Sequence, residues 1–287
     1  MDLTTFLQFF INGIVLGAIY VLLAIGLSII FGMIGIVNLT HGILYMLGAY
    51  ATVTLAPYIG FFPNLIVSPL LVAILGMAVE AAFLRQIYKG DPALGLLFTF
   101  GLAMFLEQVV RAAWGPQGIP FQIPEVLRGA IAAGPVIYSK YRYFIGLCSI
   151  LVIAGLWLFL EKTPYGMIIR AGSHDPDMVR VLGISLKPVF TAVFGLGVAL
   201  AAVSGVLASP LAGVEPAMGT NTGTFAFVVV VIGGLGSFWG SVIAGLMVGE
   251  VESFCIFFWP PMADASKFAL MIAILLLRPR GLLGRRW

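Results

Sequence analysis

The side chains that could do chemistry in this sequence lie mostly inside long apolar runs, and the first such group is Asn38, His41 and Gly42. An amide or an imidazole at membrane depth costs free energy unless it faces a bundle interior or a watery cavity. Two roles fit this pattern: lining or gating a solute path, or forming a satisfied hydrogen bond between helices. A metal site is not indicated at His41, because the sequence offers no second cluster of ligands.

Two carboxylates, Glu250 and Glu252, lie near the middle of another apolar run. A charge at the centre of a membrane helix costs about 2.5–3.5 kcal/mol on insertion scales. Residues two positions apart on an α-helix point about 200° away from one another. The two acids therefore cannot face the same cavity, and they need different surroundings.

A glycine cluster precedes these acids, with Gly233, Gly234 and Gly236 followed by further glycines up to Gly249. Small residues let membrane helices approach closely. The same residues also allow a break in the helix that could move. The pattern leaves both interpretations open, either helix packing or a gate beside a pathway.

The polar segment 162–187 carries capping, turn and charged residues within a short stretch: Arg170, Ser173, Asp175, Pro176, Asp177, Arg180 and Gly183. Ser173 or Asp175 can cap a helix whose first residue is Pro176, where the missing amide costs nothing. Asp177 complements the helix dipole, and Gly183 suits the left-handed residue that ends the helix.

The predicted helix is about two turns long, and its apolar side chains are Met178, Val179, Val181 and Leu182. A helix that short is marginal in water unless it packs on a surface. It is either a capped surface turn on the membrane face or a coupling helix that fits a groove on a cytoplasmic ATPase.

The elements that hold these residues follow from composition, since 61% of the 287 residues are hydrophobic and only 9% are charged. The apolar runs cover about 6–31, 36–56, 63–84, 92–112, 142–160, 188–211, 224–258 and 266–279. About 20 apolar residues cross a bilayer, and runs without alternating polarity form helices rather than barrel strands. We therefore expect an all-α polytopic bundle in one domain, 1–287, with about eight spans. Run 224–258 is too long for one span, so nine segments with a break there are the alternative.

Lys and Arg in the loops favour an extracytoplasmic N-terminus and a cytoplasmic C-terminus. Residues 162–187 then lie inside and the loop 113–141 lies outside. The outer loop is either a docking surface for an external partner or a segment that rests on lipid headgroups. Cys148 and Cys255 lie in apolar runs, so we expect them to pack as small hydrophobes.

Three stretches together resemble the permease family of branched-chain amino-acid ABC importers, in particular its LivH type. The stretches are Gly17 to Gly32 running on to Tyr50, Arg170 to Ile184, and Val231 to Gly240 with Gly245, Glu252 and the ending Arg278 to Gly284. They recur in order over essentially the whole chain.

The resemblance implies a subunit of the bacterial inner membrane that forms a solute pathway with a second permease of the LivM type. Two cytoplasmic ATPase subunits would drive transport, and an extracytoplasmic solute-binding protein would deliver the solute. The sequence has no Gly-x-x-x-x-Gly-Lys-Ser/Thr motif, so we expect this chain to bind no cofactor and its partners to use the ATP.

The same resemblance bears on single residues. Glu252 occupies a position where the family also carries an acid, so we expect it to face the protein interior as a structural anchor or pathway residue. Glu250 stands where an apolar residue is usual, and we expect it to be partnered or near the outer interface. Ile43 stands where some branched-chain permeases have an acid, which leaves the exact solute open among amino acids, urea, short amides and aromatic acids.

Two rival functions follow from the same residues. An ion-coupled secondary transporter of small polar solutes would need an internal ion site built from Glu250, Glu252 or His41 and would work without ATPases. A membrane enzyme is not indicated, because no paired carboxylates or histidine-rich cluster face a common surface. The predicted pathway or gate residues are Asn38, His41, Gly42, Gly233, Gly234, Gly236 and Glu252.

Overall fold

The computed structural model describes residues 2–88, 90–133 and 136–284 as a helical bundle. The helices are α1 (Leu3–Ile34), α2 (His41–Ile59), α3 (Phe61–Val79), α4 (Arg85–Ile87), α5 (Pro92–Trp114), α6 (Lys140–Lys162), α7 (Pro164–His174), α8 (Pro176–Val181), α9 (Leu186–Ala212), α10 (Met218–Gly233), α11 (Phe238–Phe258) and α12 (Ala263–Leu277). A π-helical turn, Glu80–Leu84, joins α3 to α4. Short 3₁₀ turns span Glu125–Leu127 and Pro260–Met262.

Among these described residues, eight helices are long and apolar enough to cross a membrane, and α10 is a shorter apolar helix. The predicted all-α, multi-pass architecture is confirmed. The run 224–258 is divided, as one of the two alternatives required, between α10 and α11. Gly234 and Gly236 adopt φ values of 99° and 78° between them, a conformation that favours glycine.

The central helix of the bundle is α1, which packs on α9, α10 and α11. Nearly every residue from Gly17 to Leu27 is buried. A Cβ added at Gly17 would lie only 2.9 Å from Leu246 Cα on α11, so glycine allows this close approach. Dispersion and close packing hold helices together in lipid, where no water drives their association.

Two faces of the bundle can be told apart by the elements that end there. The hairpin face holds the start of α1 and two short strands, β1 (Ala130–Ala133) and β2 (Val136–Ser139), which pair antiparallel. The Tyr138 hydroxyl on β2 donates to Asn12 Oδ1 on α1 at 2.6 Å. Ile119 and Val214 form a backbone bridge beside them.

The loop-helix face holds the end of α1 together with α7, α8 and residues 278–284. A Cβ at Gly172 on α7 would contact Met33 near the end of α1, which places α7 directly on that end. The amides of Leu282 and Leu283 donate to the carbonyls of Ile232 and Gly233 at 2.8 and 3.0 Å. This C-terminal clasp closes the elbow between α10 and α11.

The described N-terminal and C-terminal residues lie on opposite faces of the bundle. Arg285, Arg286 and Lys89 lie outside the described residues. Cys148 and Cys255 are free thiols and half-buried, consistent with a packing role.

Candidate functional site

The chain enters α2 through a short non-helical segment within the membrane layer. Gly35 ends α1 with a φ of 75°, and residues up to Thr40 follow without helical structure. Asn38 Oδ1 accepts the Thr40 amide at 3.1 Å, and the Asn38 carbonyl accepts the His41 amide at 3.2 Å. Asn38 therefore forms a turn that leads into α2. The predicted second span began too early, because this turn delays the helix to His41.

The same segment is fixed to α5. The Leu39 amide donates to Thr99 Oγ1 at 3.3 Å, and the Thr40 hydroxyl donates to the Thr99 carbonyl at 2.8 Å. Thr99 is itself buried. These bonds satisfy backbone groups that lipid could not, and they hold the start of α2 in one place.

His41 is buried between α1 and α2, with 1% of its surface exposed. Its Nε2 lies 3.0 Å from the Leu23 carbonyl of α1. Leu23 precedes the end of α1 by about 16 Å at 1.5 Å per residue, so α2 starts deep in the membrane layer. The contact is an interhelical hydrogen bond of the kind weighed for His41, while Nδ1 has no partner among the described residues, and His41 does not line the cavity described below.

Gly42 brings the start of α2 against the start of α10. A Cβ at Gly42 would lie 2.5 Å from Gly223 Cα, and a Cβ at Gly219 would lie 2.9 Å from the Ile43 side chain. Any larger residue would separate the two helices. Two helix N-termini therefore meet at one depth inside the bundle.

A cavity of about 210 Å³ adjoins this meeting point. Its walls come from α1, the segment before α2, α2, α5 and α10: Leu27, Val37, Asn38, Leu39, Gly42, Ile43, Phe100, Ala103, Met104, Glu107, Thr220, Gly223, Thr224 and Phe227. Of the predicted pathway residues, Asn38 and Gly42 are brought together here. Asn38 is 4% exposed, and its Nδ2 has no hydrogen-bond partner within the described ranges.

Glu107 is the acid of this cavity. Its Oε2 accepts the Thr220 hydroxyl of α10 at 2.6 Å, and its Oε1 lies 2.7 Å from Arg111 Nη2. Thr220 and Thr224 are exposed although they lie on an apolar helix. Hydroxyls at membrane depth favour a side that faces a watery path or another protein rather than lipid.

The predicted glycines of the α10–α11 junction lie away from the cavity. Gly233 packs on Gly240 and Ser241, Gly234 packs on Gly284, and Gly236 packs on Gly32. Each close contact involves backbone atoms. The geometry is that of tight packing at the elbow, one of the two roles left open for these residues.

Glu252 is buried and belongs to a second polar cluster, between α1, α11 and α12. Its Oε1 lies 2.8 Å from Lys267 Nζ, and its Oε2 accepts the Tyr20 hydroxyl at 2.7 Å. Lys267 is fully buried, also reaches Asp264 at 3.0 Å, and lies 3.3 Å from the centre of the Phe225 ring. Glu252 faces the protein interior, as expected, and here it anchors three helices.

Lys267 was missed by the sequence reasoning. The sequence does indicate a buried charge here, because Lys267 is a single lysine near the start of the last apolar run. Its partner could not be deduced, since Glu252 lies on another helix.

Glu250 was expected to be partnered or near the outer interface, and the described residues supply no partner for it. Both carboxylate oxygens are buried, and neither has a hydrogen-bond partner among the described residues. The side chain lies against Gly13 of α1, where a larger residue would collide with it.

The segment 162–187 forms two helices rather than one. Asp175 Oδ1 accepts the Met178 amide at 2.9 Å, Pro176 is the first residue of α8, and Gly183 has a φ of 80°. These features confirm the predicted cap, start and end. Ser173 does not cap α8: it lies within α7, which was not predicted, and its hydroxyl donates to the Arg170 carbonyl at 2.9 Å.

Charged residues hold α7 and α8 in place. Arg170 pairs with Glu161 at the end of α6, and Arg180 Nη1 lies 2.7 Å from Asp177 Oδ1 within α8. Val179 is buried, whereas Met178, Val181 and Leu182 are 57%, 81% and 72% exposed. The bundle therefore covers only one of the four apolar side chains of this predicted helix.

A family comparison decides what kind of protein carries these features. The profile of the family described as "Branched-chain amino acid transport system / permease component" matches residues 9–275. The chain belongs to this permease family.

Individual relatives agree over almost the full length. The branched-chain amino-acid permease BraD of Pseudomonas aeruginosa is 32% identical, covering 98% of this chain and 96% of BraD. LivH of Escherichia coli K12 is 29% identical over the same shares. LivM of Escherichia coli K12 is 28% identical, covering 92% of this chain and 68% of LivM.

As a permease of this family, the chain is a multi-pass transport subunit of the inner membrane and not an enzyme. The described residues contain no group of three or more His, Cys, Asp or Glu that could hold a metal ion.

Proposed function

We propose that this chain forms, with a second permease of the LivM type, the pathway of an importer for branched-chain amino acids or similar small solutes. Two cytoplasmic ATPase subunits bind and hydrolyse the ATP, and this chain binds no cofactor itself. An extracytoplasmic binding protein delivers the solute. Similarity to both LivH and LivM supports a pair of related permeases.

The observation that carries the proposal is the exposed apolar surface of α8. Met178, Val181 and Leu182 point away from the bundle on a helix of only six residues. A helix this short needs packing to persist, and water gives it none. An apolar groove on an ATPase subunit would supply that packing.

The distribution of basic residues supports an orientation with α8 in the cytoplasm. Arg85, Lys162, Arg170, Arg180 and Lys187 all lie at or near the loop-helix face. Cytoplasmic loops carry the excess of Lys and Arg. The N-terminus and the loop 113–141 then lie on the extracytoplasmic side, and the C-terminus lies in the cytoplasm.

A contiguous chain of contacts links α8 to the pathway. Helix α8 follows directly on α7, and Gly172 of α7 packs on Met33 at the end of α1. Further along α1, the Leu23 carbonyl contacts His41 at the start of α2. Movement of an ATPase pair against α8 would shift α7, α1 and the start of α2 together. This requires that nucleotide-bound ATPase subunits contact the two conformations of the permease differently.

The extracytoplasmic loop offers a second exposed surface. Val126 and Ile137 are 75% and 66% exposed on the hairpin face. We propose the binding protein as the partner of this surface, with lipid headgroups as the alternative that the same experiment separates.

The ion-coupled alternative is weakened at two of the three residues named for its ion site. Glu252 is paired with Lys267, and His41 is bonded to α1. A carboxylate already neutralised by an internal lysine is a poor coupling-ion ligand.

The test is a matched pair of variants in the reconstituted transporter. Val181→Asp should abolish both ATPase-subunit binding and ATP-driven uptake of L-leucine, because it puts a charge in the proposed contact. Val126→Asp, the same change on the opposite face, should leave ATPase binding intact and weaken only binding-protein docking.

Retention of ATPase binding and energised uptake by Val181→Asp would refute the coupling role of α8. Uptake by the permease pair alone under an ion gradient would refute the ATP-driven function. Unchanged binding-protein docking in Val126→Asp would assign residues 113–141 to the lipid surface.

A further inference from the structure

The N-termini of α2 and α10 meet at Gly42, and they differ in which groups balance their partial positive charge. The first amides of a helix lack partners within the helix and carry a partial positive charge. At α10, the third residue, Thr220, donates its hydroxyl to the carboxylate of Glu107 at 2.6 Å. The protein thus places its own anion beside the start of α10.

The start of α2 has no such anion among the described residues. The amides of Gly42 and Ile43 donate to no hydrogen bond there, and Thr40 provides no side-chain cap. Both residues line the cavity. Helix α2 has 19 residues, long enough for its dipole to act fully at its first turn.

A third donor lies beside these two amides. The Asn38 side chain uses Oδ1 to accept from the Thr40 amide, which leaves Nδ2 buried and without a partner in the described chain, on a residue that lines the cavity. A buried amide donor left unpaired costs about 1–3 kcal/mol. Three donors around one cavity at membrane depth match a carboxylate, which accepts several hydrogen bonds at once.

The remaining walls of the cavity suit the other parts of an amino acid. Leu27, Phe100, Met104 and Phe227 provide an apolar surface for an aliphatic side chain. Glu107 is the acidic residue of the lining and keeps 17% of its side chain exposed. Its carboxylate already pairs with Arg111 and accepts from Thr220, and its remaining lone pairs can accept an ammonium group as a further donor.

We propose that this cavity binds a zwitterionic α-amino acid with an aliphatic side chain. The carboxylate accepts hydrogen bonds from Asn38 Nδ2 and from the amides of Gly42 and Ile43 at the start of α2. The ammonium group faces Glu107, and the side chain packs on the apolar walls. This site rests on the proposed function, since it supplies a solute-binding station within the permease itself.

The test is direct binding of L-leucine to the assembled transporter in nanodiscs, without the binding protein. Asn38→Leu keeps the side-chain volume and removes both the Nδ2 donor and the Oδ1 that accepts the Thr40 amide. It should weaken L-leucine binding about ten- to a hundredfold, the factor for losing one hydrogen bond to a charged group. Asn64→Leu is the matched control, because Asn64 is a fully buried amide remote from the cavity whose Nδ2 already donates to the Gly60 carbonyl.

Two analogues test the two charges separately. L-leucinamide lacks the carboxylate and should bind weakly to wild type, with no further loss in Asn38→Leu. 4-Methylpentanoate lacks the ammonium group, so Glu107→Gln should weaken L-leucine binding without weakening 4-methylpentanoate binding. A general loss of folding would instead weaken the binding of L-leucine, L-leucinamide and 4-methylpentanoate together.

The site is refuted if Asn38→Leu binds L-leucine as tightly as wild type does, or if L-leucinamide matches L-leucine. It is also refuted if Asn38→Leu and Asn64→Leu weaken binding equally, because the loss is then structural. The proposed function fails separately, if the complete wild-type system with its binding protein shows no ATP-driven uptake of any amino acid.

Discussion

Two polar clusters lie within the same apolar bundle, and they are built in opposite ways. In the cluster of Tyr20, Glu252 and Lys267, each charge meets its opposite and each hydrogen bond closes within the chain. In the cavity beside Gly42, Asn38 Nδ2 and the amides of Gly42 and Ile43 have no partner in the described part of the chain. We call these the closed cluster and the open cavity.

The difference shows what a polar group inside a membrane is for. A buried ion pair that also accepts a hydrogen bond is costly to break, and it leaves no free donor or acceptor for a solute. Unpaired donors are costly to keep unless something else binds them. The closed cluster therefore holds α1, α11 and α12 together, and the open cavity is where a solute gains binding energy.

The largest effect is expected from Lys267→Met, which leaves Glu252 buried without its cation. Breaking a buried pair from one side costs about 3–5 kcal/mol, so the unfolding midpoint in a denaturing detergent titration should fall sharply. The double variant Lys267→Met, Glu252→Gln should recover most of the loss, because the neutral amide can still accept from Tyr20. A single variant as stable as wild type would show that the cluster is not a structural anchor.

Tyr20→Phe should have the next largest effect on the closed cluster. It removes one hydrogen bond to a charged carboxylate, and such bonds contribute about 1.5–3 kcal/mol. The same unfolding titration measures the loss. Tyr58→Phe, at a side chain that is 83% exposed, is the control and should change nothing.

Gly42→Ala tests the open cavity by changing its shape. The new methyl would press on Gly223 and force α2 and α10 apart, at about 1–3 kcal/mol, and L-leucine uptake should fall more than stability does. Gly101→Ala on α5 has open space around the new methyl and should be neutral or stabilising. Equal effects of the two changes would mean that the helix starts do not meet closely.

Glu250→Gln should have the smallest effect, because its carboxylate has no partner to lose among the described residues. Neutralising a buried, unpaired acid should leave stability within about 0.5 kcal/mol of wild type or raise it. Differential scanning calorimetry of the purified permease pair measures this change in stability. A clear destabilisation would show that Glu250 is paired after all, across the contact with the second permease.

Features set by neighbouring residues could be predicted from the sequence. The α8 cap at Asp175, its start at Pro176 and its end at Gly183 follow from short-range backbone chemistry and are all present. The break between α10 and α11 followed from length and glycine content. The hydrophobic runs predicted the spans to within a few residues, except at the starts of α2 and α10.

Features that depend on distant contacts could not be predicted. Asn38 is a good cap by residue type, but its apolar neighbours made residues 36–56 look like one span. Nothing in the sequence pairs Lys267 with Glu252, because the pairing depends on how α12 returns along α11. The cavity depends on Gly42 and Gly223, which are far apart in the chain and allow the starts of α2 and α10 to pack in direct contact.

The C-terminal clasp has a consequence for how the protein is made. Helices enter the membrane in the order of synthesis, but the amides of Leu282 and Leu283 that close the α10–α11 elbow come last among the described residues. Until they emerge from the ribosome, the end carbonyls of Ile232 and Gly233 have no clasp. A nascent chain stopped before Gly281 would therefore carry an elbow whose two end carbonyls lack these bonds.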